Sequence, residues 1–291
     1  MGYINPDCDR EAKEAAQSLV EHLFLDPQNL PRIAVVLGTG WGDALEFEQR
    51  RSAPLTRITE YFWSLGDLAG HAREVVAGRV AGMDIIALRG RVHVNEKPAS
   101  DPNIQRMVRL QVAMFFALGV KTIILTNAAG TLRPEVAHVG DIVAADGFVV
   151  SFAPDLPGWA GEFASPEDTL DSELRFIARA VGNEVGLVVH NGGYAMLRGP
   201  FFEGRKYDKP LLRASGAIAV GMSTLPEACA AALYDARVLA LSFITNDNAE
   251  EHSHEENMRR AKKQSGNLSA LLRGIIQTVG VSTSRKVVEG A

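Results

Sequence analysis

Three short apolar runs in this chain, Ile33–Leu37, Val120–Thr126 and Val238–Thr245, each give way at once to small or polar residues. They are rich in β-branched side chains and too short for buried helices, so they read as strands covered on both faces. The first run leads into Gly38-Thr39-Gly40, the second into Asn127-Ala128-Ala129-Gly130, and the third into Asn246 after Thr245. In an open α/β sheet, ligands bind beyond the carboxyl ends of the strands, so these ends predict one shared pocket. A fourth run, Asp84–Leu88, repeats the pattern and leads into Gly90-Arg91-Val92-His93.

Helical patterns fill the intervals. Ala12, Ala15, Ala16, Leu19, Val20 and Leu23 recur at helical spacing between Glu11 and Phe24, before the break at Pro31. Asp101-Pro102 joins a capping carboxylate to a first-turn proline and predicts a helix to Leu118, ended by Gly119. Further helices are expected over Pro226–Arg237 and His254–Thr278, the second interrupted at Gly266. Alternating strands and helices favour a mostly parallel sheet with helices on its faces. The stretch Ser151–Asp171, mixing prolines, glycines and aromatics, suits a lid. No repeat or linker divides the chain, so one domain over residues 1–280 and a frayed tail over 281–291 are expected.

Composition narrows the partners. With 46% hydrophobic and 22% charged residues in a length of 291, a sizeable core can form. The 30 basic and 35 acidic residues leave a net charge of −5, which offers no electrostatic ground for nucleic acid or an anionic membrane. Cys8 and Cys229 are too few for a disulfide framework or a four-ligand metal site. The N-terminus shows no basic segment leading into an apolar one, and no run is long enough to cross a bilayer, so a cytoplasmic protein with a small-molecule partner is expected.

The candidate chemistry lies at the strand ends. Gly38-Thr39-Gly40-Trp41-Gly42 can turn backbone N–H groups toward an anion, with the Thr39 hydroxyl as a further donor. A glycine turn serving the backbone alone fits the same residues. A dinucleotide fingerprint needs glycine where Asp43 stands, and a nucleotide P-loop needs an absent lysine, so a nicotinamide-dependent oxidoreductase is disfavoured. Arg91 and His93, two residues apart in an extended segment, would share a face and suit a phosphate, with Glu96 placed to fix the His93 tautomer. A solvated Arg, a structural His and a surface Glu are the plain alternatives. Phe201-Phe202-Glu203 sets a carboxylate beside aromatic faces, as a purine requires. Met222-Ser223 pairs a side chain suited to a sugar face with a phosphate donor, although both segments also fit ordinary core packing.

In order, LGTGWG at 37–42, GHA at 70–72, GRVH at 90–93, TNAAGTL at 126–132, GDI at 140–142, YAMLRGPFFE at 194–203, VGMSTLPE at 220–227 and ITN at 244–246 resemble the trimeric class of purine nucleoside phosphorylases. The resemblance implies an α/β fold, a single-domain twisted mixed β-sheet flanked by helices, assembled as a homotrimer that serves purine salvage. It implies a phosphate site of Thr39, Arg91, His93, Ala128 and Ser223, with His71 in support. Phe202, Glu203 and Asn246 would hold the base, Tyr194 and Met222 the ribose, and His254 the 5′-hydroxyl. Trp159 would stand where a neighbouring subunit lends an aromatic ring. The reaction implied is phosphorolysis of inosine or guanosine, with inorganic phosphate as co-substrate and neither cofactor nor metal. His93, Asn246, Glu203 and His254 are the implied catalytic set.

Three departures stand out. Gly204–Asp208 replaces the family's usual continuation after Glu203, Asn95 stands at a common ribose-contacting Tyr, and Asp247 follows Asn246. They keep other readings open: a nucleoside-binding paralogue with weak turnover, or the specificity of a methylthioadenosine or xanthosine phosphorylase. Asn246 argues against the 6-amino substrate, because an amide both donates and accepts where a 6-aminopurine is suited by Asp.

Overall fold

The computed structural model describes residues 3–62, 72–98, 101–150, 161–197, 203–247 and 254–289, with side chains for all of these except 254–258 and 282–289. Its elements run α1 (Pro6–His22), β1 (Ile33–Leu37), β2 (Glu48–Pro54), the single turn α2 (Leu55–Ile58), β3 (Glu74–Val80), β4 (Met83–Arg89) and α3 (Pro102–Leu118). They continue with β5 (Thr122–Thr131), β6 (Ile142–Val149), α4 (Ser172–Val185), β7 (Val189–Met196), α5 (Asp208–Ala214), β8 (Ala217–Gly221), α6 (Leu225–Leu233), β9 (Arg237–Asn246), α7 (His254–Lys263) and α8 (Ser265–Glu289).

Strand order among the described residues is β2-β3-β4-β1-β5-β8-β7-β6-β9, and β9 pairs back onto β5. Five strands, β5, β8, β7, β6 and β9, therefore close on themselves, and β1 to β4 extend from β5 as a wing. The sheet is mixed. β1 lies parallel to β4 and β5, and β5 parallel to β9, while β5/β8, β6/β9, β2/β3 and β3/β4 are antiparallel. β6/β7 and β7/β8 are parallel as well, so five of the nine pairings among the described residues are parallel and the sheet is mixed with a parallel majority; the α/β fold and mixed sheet agree with the resemblance.

Coverage of both faces explains the unbroken apolar runs. Along β1, Ala34 and Val36 join the core beneath α1, α3 and α6, whereas Ile33, Val35 and Leu37 join the one beneath α4 and α8. Successive strand side chains point to opposite faces, so a strand sandwiched between helix layers needs an apolar residue at every position.

The boundaries of α3 are those expected. Asp101 caps the helix by accepting from the Asn103 N–H, Pro102 opens it, and Gly119 closes it at φ 109°. Other boundaries differ. β5 does not stop at Thr126 but continues to Thr131, because β9 pairs with it in parallel as far as Ala129↔Ile244 and Gly130↔Asn246. Small residues signal a strand end only where the partner ends too. α1 begins at Pro6 with Asn5 as its cap, and α6 stops at Leu233 rather than Arg237. The C-terminal break falls at Gln264, and helix persists to Glu289 where a frayed tail is expected.

Of the expected lid, residues 161–171 are described, and that end is tied down. Glu162 takes both terminal nitrogens of Arg109, at 2.5 and 2.7 Å, and the Asn5 N–H at 2.6 Å. Among the described residues, no helix is long and apolar enough to cross a membrane.

Candidate active site

The first glycine turn is pressed directly against Arg91. Gly38 N–H donates to Thr126 Oγ1 at 3.2 Å, and any side chain at 38 would strike the Thr126 carbonyl and lie 2.7 Å from an Arg91 nitrogen. Here glycine is required for close approach. Trp41, fully buried, donates from its indole N–H to the Asn127 carbonyl at 2.9 Å and holds the turn to β5. Thr39 sits half-buried at the tip of this turn.

Arg91 is fully enclosed. One terminal nitrogen donates to Glu227 Oε1 at 2.8 Å and Thr224 Oγ1 at 3.4 Å, and the other donates to the Thr126 carbonyl. Glu227 is 1% exposed, so this is an ion pair without solvent, tolerable because further hydrogen bonds share the charge. The chain bends into a 3-10 turn at Val94–Glu96, so the extended face expected for Arg91 and His93 ends at once. Arg91 is buried and His93 is half-buried. Glu96 accepts the backbone N–H of His93 at 2.7 Å and the Arg73 guanidinium at 2.6 Å. The carboxylate thus holds the turn that carries His93, as the acidic member of a capping box with His93. Burial pushes the Glu96 carboxyl above the usual range, offset in part by the His93 N–H and Arg73.

Beyond β8 the chain makes a strained turn. Thr224 has φ 79° and ψ −50°, and the Leu225 N–H donates to the Ser223 carbonyl at 2.9 Å, which closes a γ-turn of the rare positive-φ kind. Such a conformation costs a β-branched residue about 1–3 kcal/mol and persists where surrounding bonds enforce it. Those bonds are present: Asn127 Nδ2 donates to the Thr224 hydroxyl at 2.5 Å, and Arg91 donates to the same oxygen. The turn leads into α6, so Ser223, 8% exposed, stands at a helix N-terminus, where backbone N–H groups and the helix dipole favour an anion.

Tyr194 props this turn from below. It is fully buried, meets Phe148 edge-on, and its hydroxyl accepts the Ser223 N–H at 3.5 Å. That hydroxyl lies so close to Gly221 that no side chain fits there. Burial raises the Tyr194 phenol to about 12. Met222, half-buried, receives Asn95 Nδ2 at 3.6 Å on its sulfur. Two buried acceptors along the turn, Asn95 Oδ1 and Asn127 Oδ1, have no hydrogen-bond partner among the described residues.

Asn246 ends β9 beside β5. It is 8% exposed, and a side chain at Gly130 would come within 3.0 Å of its amide nitrogen. The Thr245 hydroxyl donates to Asn246 Oδ1 at 3.2 Å, and Arg260 from α7 donates to the Thr245 carbonyl at 2.6 Å. Glu203 lies just before α5, half-buried, with Lys209 Nζ at 3.8 Å. His71, Phe202 and Trp159 lie outside the described residues, as does the side chain of His254, the first residue of α7.

The structure therefore joins Gly38, Arg91, Asn127, Ser223 and Tyr194 through one chain of contacts across β5, which also carries Ala128 and abuts Asn246, while Met222 neighbours Ser223 in the chain and contacts Asn95. Sequence reasoning missed Glu227, Thr224, Trp41, the Asn127 side chain and Lys209. Glu227 was within sight, standing in the VGMSTLPE segment, but its partner is 136 residues away.

The sequence model of the phosphorylase superfamily matches residues 32–277. The chain belongs to that superfamily and, within it, to the purine nucleoside phosphorylase family of pentosyltransferases. It is 30% identical to the purine nucleoside phosphorylase of Bos taurus, over 92% of this chain and 96% of the relative. It is 29% identical to purine nucleoside phosphorylase 1 of Geobacillus stearothermophilus, over 92% and 97%. Among solved structures it resembles isoform 2 of the Schistosoma mansoni purine nucleoside phosphorylase, determined with cytosine and ribose-1-phosphate, at a TM-score of 0.76 and 26% identity over 92% and 96% of the two chains.

Proposed function

We propose that this chain catalyses the phosphate-dependent cleavage of 6-oxopurine nucleosides, inosine and guanosine among them, to the free base and ribose 1-phosphate. The observation that carries the reading is the buried network in which the glycine turn, Arg91, Asn127 and the strained Ser223-Thr224 turn meet midway along β5. Strain of this sort clusters at ligand sites, and the parts gathered here are those an oxyanion needs.

Phosphate would sit against Thr39, the Ala128 backbone N–H, Ser223 and His93, with Arg91 behind it. A guanidinium carries five N–H donors, so Arg91 has capacity beyond the three acceptors named above. His71 would support the anion. As the glycosidic bond breaks, positive charge grows on the ribose and negative charge on the departing purine. Phosphate held beneath the anomeric carbon shields the first and then bonds to it. Asn246 would answer the second by donating at the base as charge builds there, while Glu203 accepts from N1–H and Phe202 covers a ring face. Met222 and Asn95 would line the sugar, with the unpartnered Asn95 oxygen ready to accept from a hydroxyl. Tyr194 serves the sugar indirectly, by holding the Ser223 turn. His254, at the start of α7, would face the 5′-hydroxyl.

No cofactor or metal enters this reaction, and phosphate is its co-substrate. Assembly as a homotrimer in the cytoplasm, with Trp159 serving a neighbouring site, belongs to the same proposal; light scattering of the purified protein tests the trimer.

A coupled assay over inosine, guanosine, xanthosine, adenosine and methylthioadenosine, with and without phosphate, tests the activity. Base release from the 6-oxo substrates only when phosphate is present is the expected result. Tight guanine binding without cleavage of any nucleoside would mark a binding protein instead, and preference for methylthioadenosine would overturn the role given to Asn246.

A further inference from the structure

The segment that departs most from the family, Gly204–Asp208, ends by turning one cation inward. Asp208 Oδ2 accepts the Gly204 N–H at 2.8 Å, and the Gly204 carbonyl accepts the Lys209 N–H at 3.0 Å, so the chain folds back into the first turn of α5. Leu212 fastens that helix to Ala217 and Val220 of β8. Of the three basic residues here, Arg205 and Lys206 are exposed, whereas Lys209 is 8% exposed with its ammonium 3.8 Å from Glu203. Both side chains are largely withdrawn from water, at 10% and 12% exposure. Burying a lysine stem and head costs rotamer freedom and hydration, which a surface lysine of the same turn avoids.

We infer that Lys209 is a specificity-determining residue, which makes the base edge read by Glu203 select a purine with a carbonyl at C2, a 2,6-dioxopurine such as that of xanthosine, over the 2-amino base of guanosine. The inference rests on the proposed function, in which Glu203 faces the N1–C2 edge. A carboxylate alone presents two acceptors and matches guanine, whose N1–H and 2-amino group both donate. A carboxylate with an ammonium beside it presents an acceptor and a donor. That pattern matches N1–H next to C2=O, and it sets the 2-amino group of guanine against a cation. Xanthosine also ionises readily, and a positive group at this edge favours its anion. Inosine, with only hydrogen at C2, falls between.

The experiment compares kcat/KM for xanthosine, inosine and guanosine in the full-length protein and in Lys209→Met, with Lys206→Met on the exposed side of the turn as control. The native enzyme should prefer xanthosine to guanosine by about tenfold or more, and Lys209→Met should erase most of that ratio, since a site built to hydrogen-bond a group discriminates strongly through it. Inosine turnover should fall less than xanthosine turnover, and Lys206→Met should leave the ratio alone. Should Lys209→Met fail to fold by circular dichroism, Lys209→Gln, which keeps a donor without the charge, should retain part of the preference. A native enzyme that prefers guanosine, or a folded variant with an unchanged xanthosine-to-guanosine ratio, overturns the inference and leaves the phosphorylase reading intact. Failure to cleave any purine nucleoside overturns both.

Discussion

Around Arg91, the side chains of Thr126, Asn127, Thr224 and Glu227 are buried and cross-linked, whereas Glu203, Asn95 and Met222, the groups proposed to face base and sugar, are half-buried. The difference reflects what each end is proposed to hold. A phosphate ion presents the same oxygens in every turnover, so its seat can be rigid, and rigidity keeps donors aimed without reorganisation. A base edge varies between substrates, and of the two groups proposed to read it Asn246 ends a strand while Glu203 precedes α5, next to the replaced Gly204–Asp208. Substitutions at the first end should therefore damage the fold, and those at the second should change selectivity.

The largest expected effect tests that division at the rigid end. Glu227→Leu leaves the Arg91 guanidinium buried without its counter-charge and should cost about 3–5 kcal/mol of folding stability, read from urea unfolding. A loss under about 1 kcal/mol would show that the pair is not part of the scaffold. At the reading end, Asn246→Ala should lower kcat on inosine about a hundredfold or more, with the urea midpoint little changed, because it removes a donor that acts as charge develops. Unchanged turnover would refute the role of Asn246.

Smaller effects sharpen the contrast. Thr224→Ala keeps the unfavourable φ and deletes the hydroxyl that Asn127 and Arg91 share, so it should cost about 1–2 kcal/mol. Thr224→Gly loses the same hydroxyl but relieves the backbone, and it should be the more stable of the two by thermal melting. The least effect near neutrality comes from Cys229, behind Glu227 on α6, whose thiol burial raises to about 12 from the ordinary 9.0. The folded protein holds this proton more tightly than the unfolded chain, so the contribution is fully present below pH 9 and is lost as pH climbs from 9 toward about 12. Tyr194, also raised to about 12, adds to that loss from its ordinary 10.0. Urea midpoints from pH 8 to 11 should fall, and less steeply in Cys229→Ala; a flat profile would contradict the buried placement.

Much of the fold was legible where local chemistry and packing agree. Ile33–Leu37 is a strand with the bounds its pattern predicts, and Asp101, Pro102 and Gly119 mark α3 because caps act through neighbouring atoms. β2 was invisible: Glu48–Pro54 is mostly exposed at the sheet's edge, and its polar sequence carries no burial pattern. β5 was read short because its extension depends on β9, more than a hundred residues on. At the site, motif residues such as Arg91, Ser223 and Asn246 could be picked out by chemical type. What Arg91 binds could not, since Glu227, Thr126 and Thr224 come to it only through folding. The Thr224 strain and the inward turn of Lys209 are properties of backbone geometry, which residue identity does not announce.

A crystal structure of the protein soaked with phosphate and hypoxanthine would test the central claim most directly. The account predicts the anion within hydrogen-bond reach of Ser223, His93 and Arg91, and the purine between Glu203 and Asn246 a few ångströms away. Phosphate and base in separate cavities, or a space between those residues already filled by packed side chains, would contradict it.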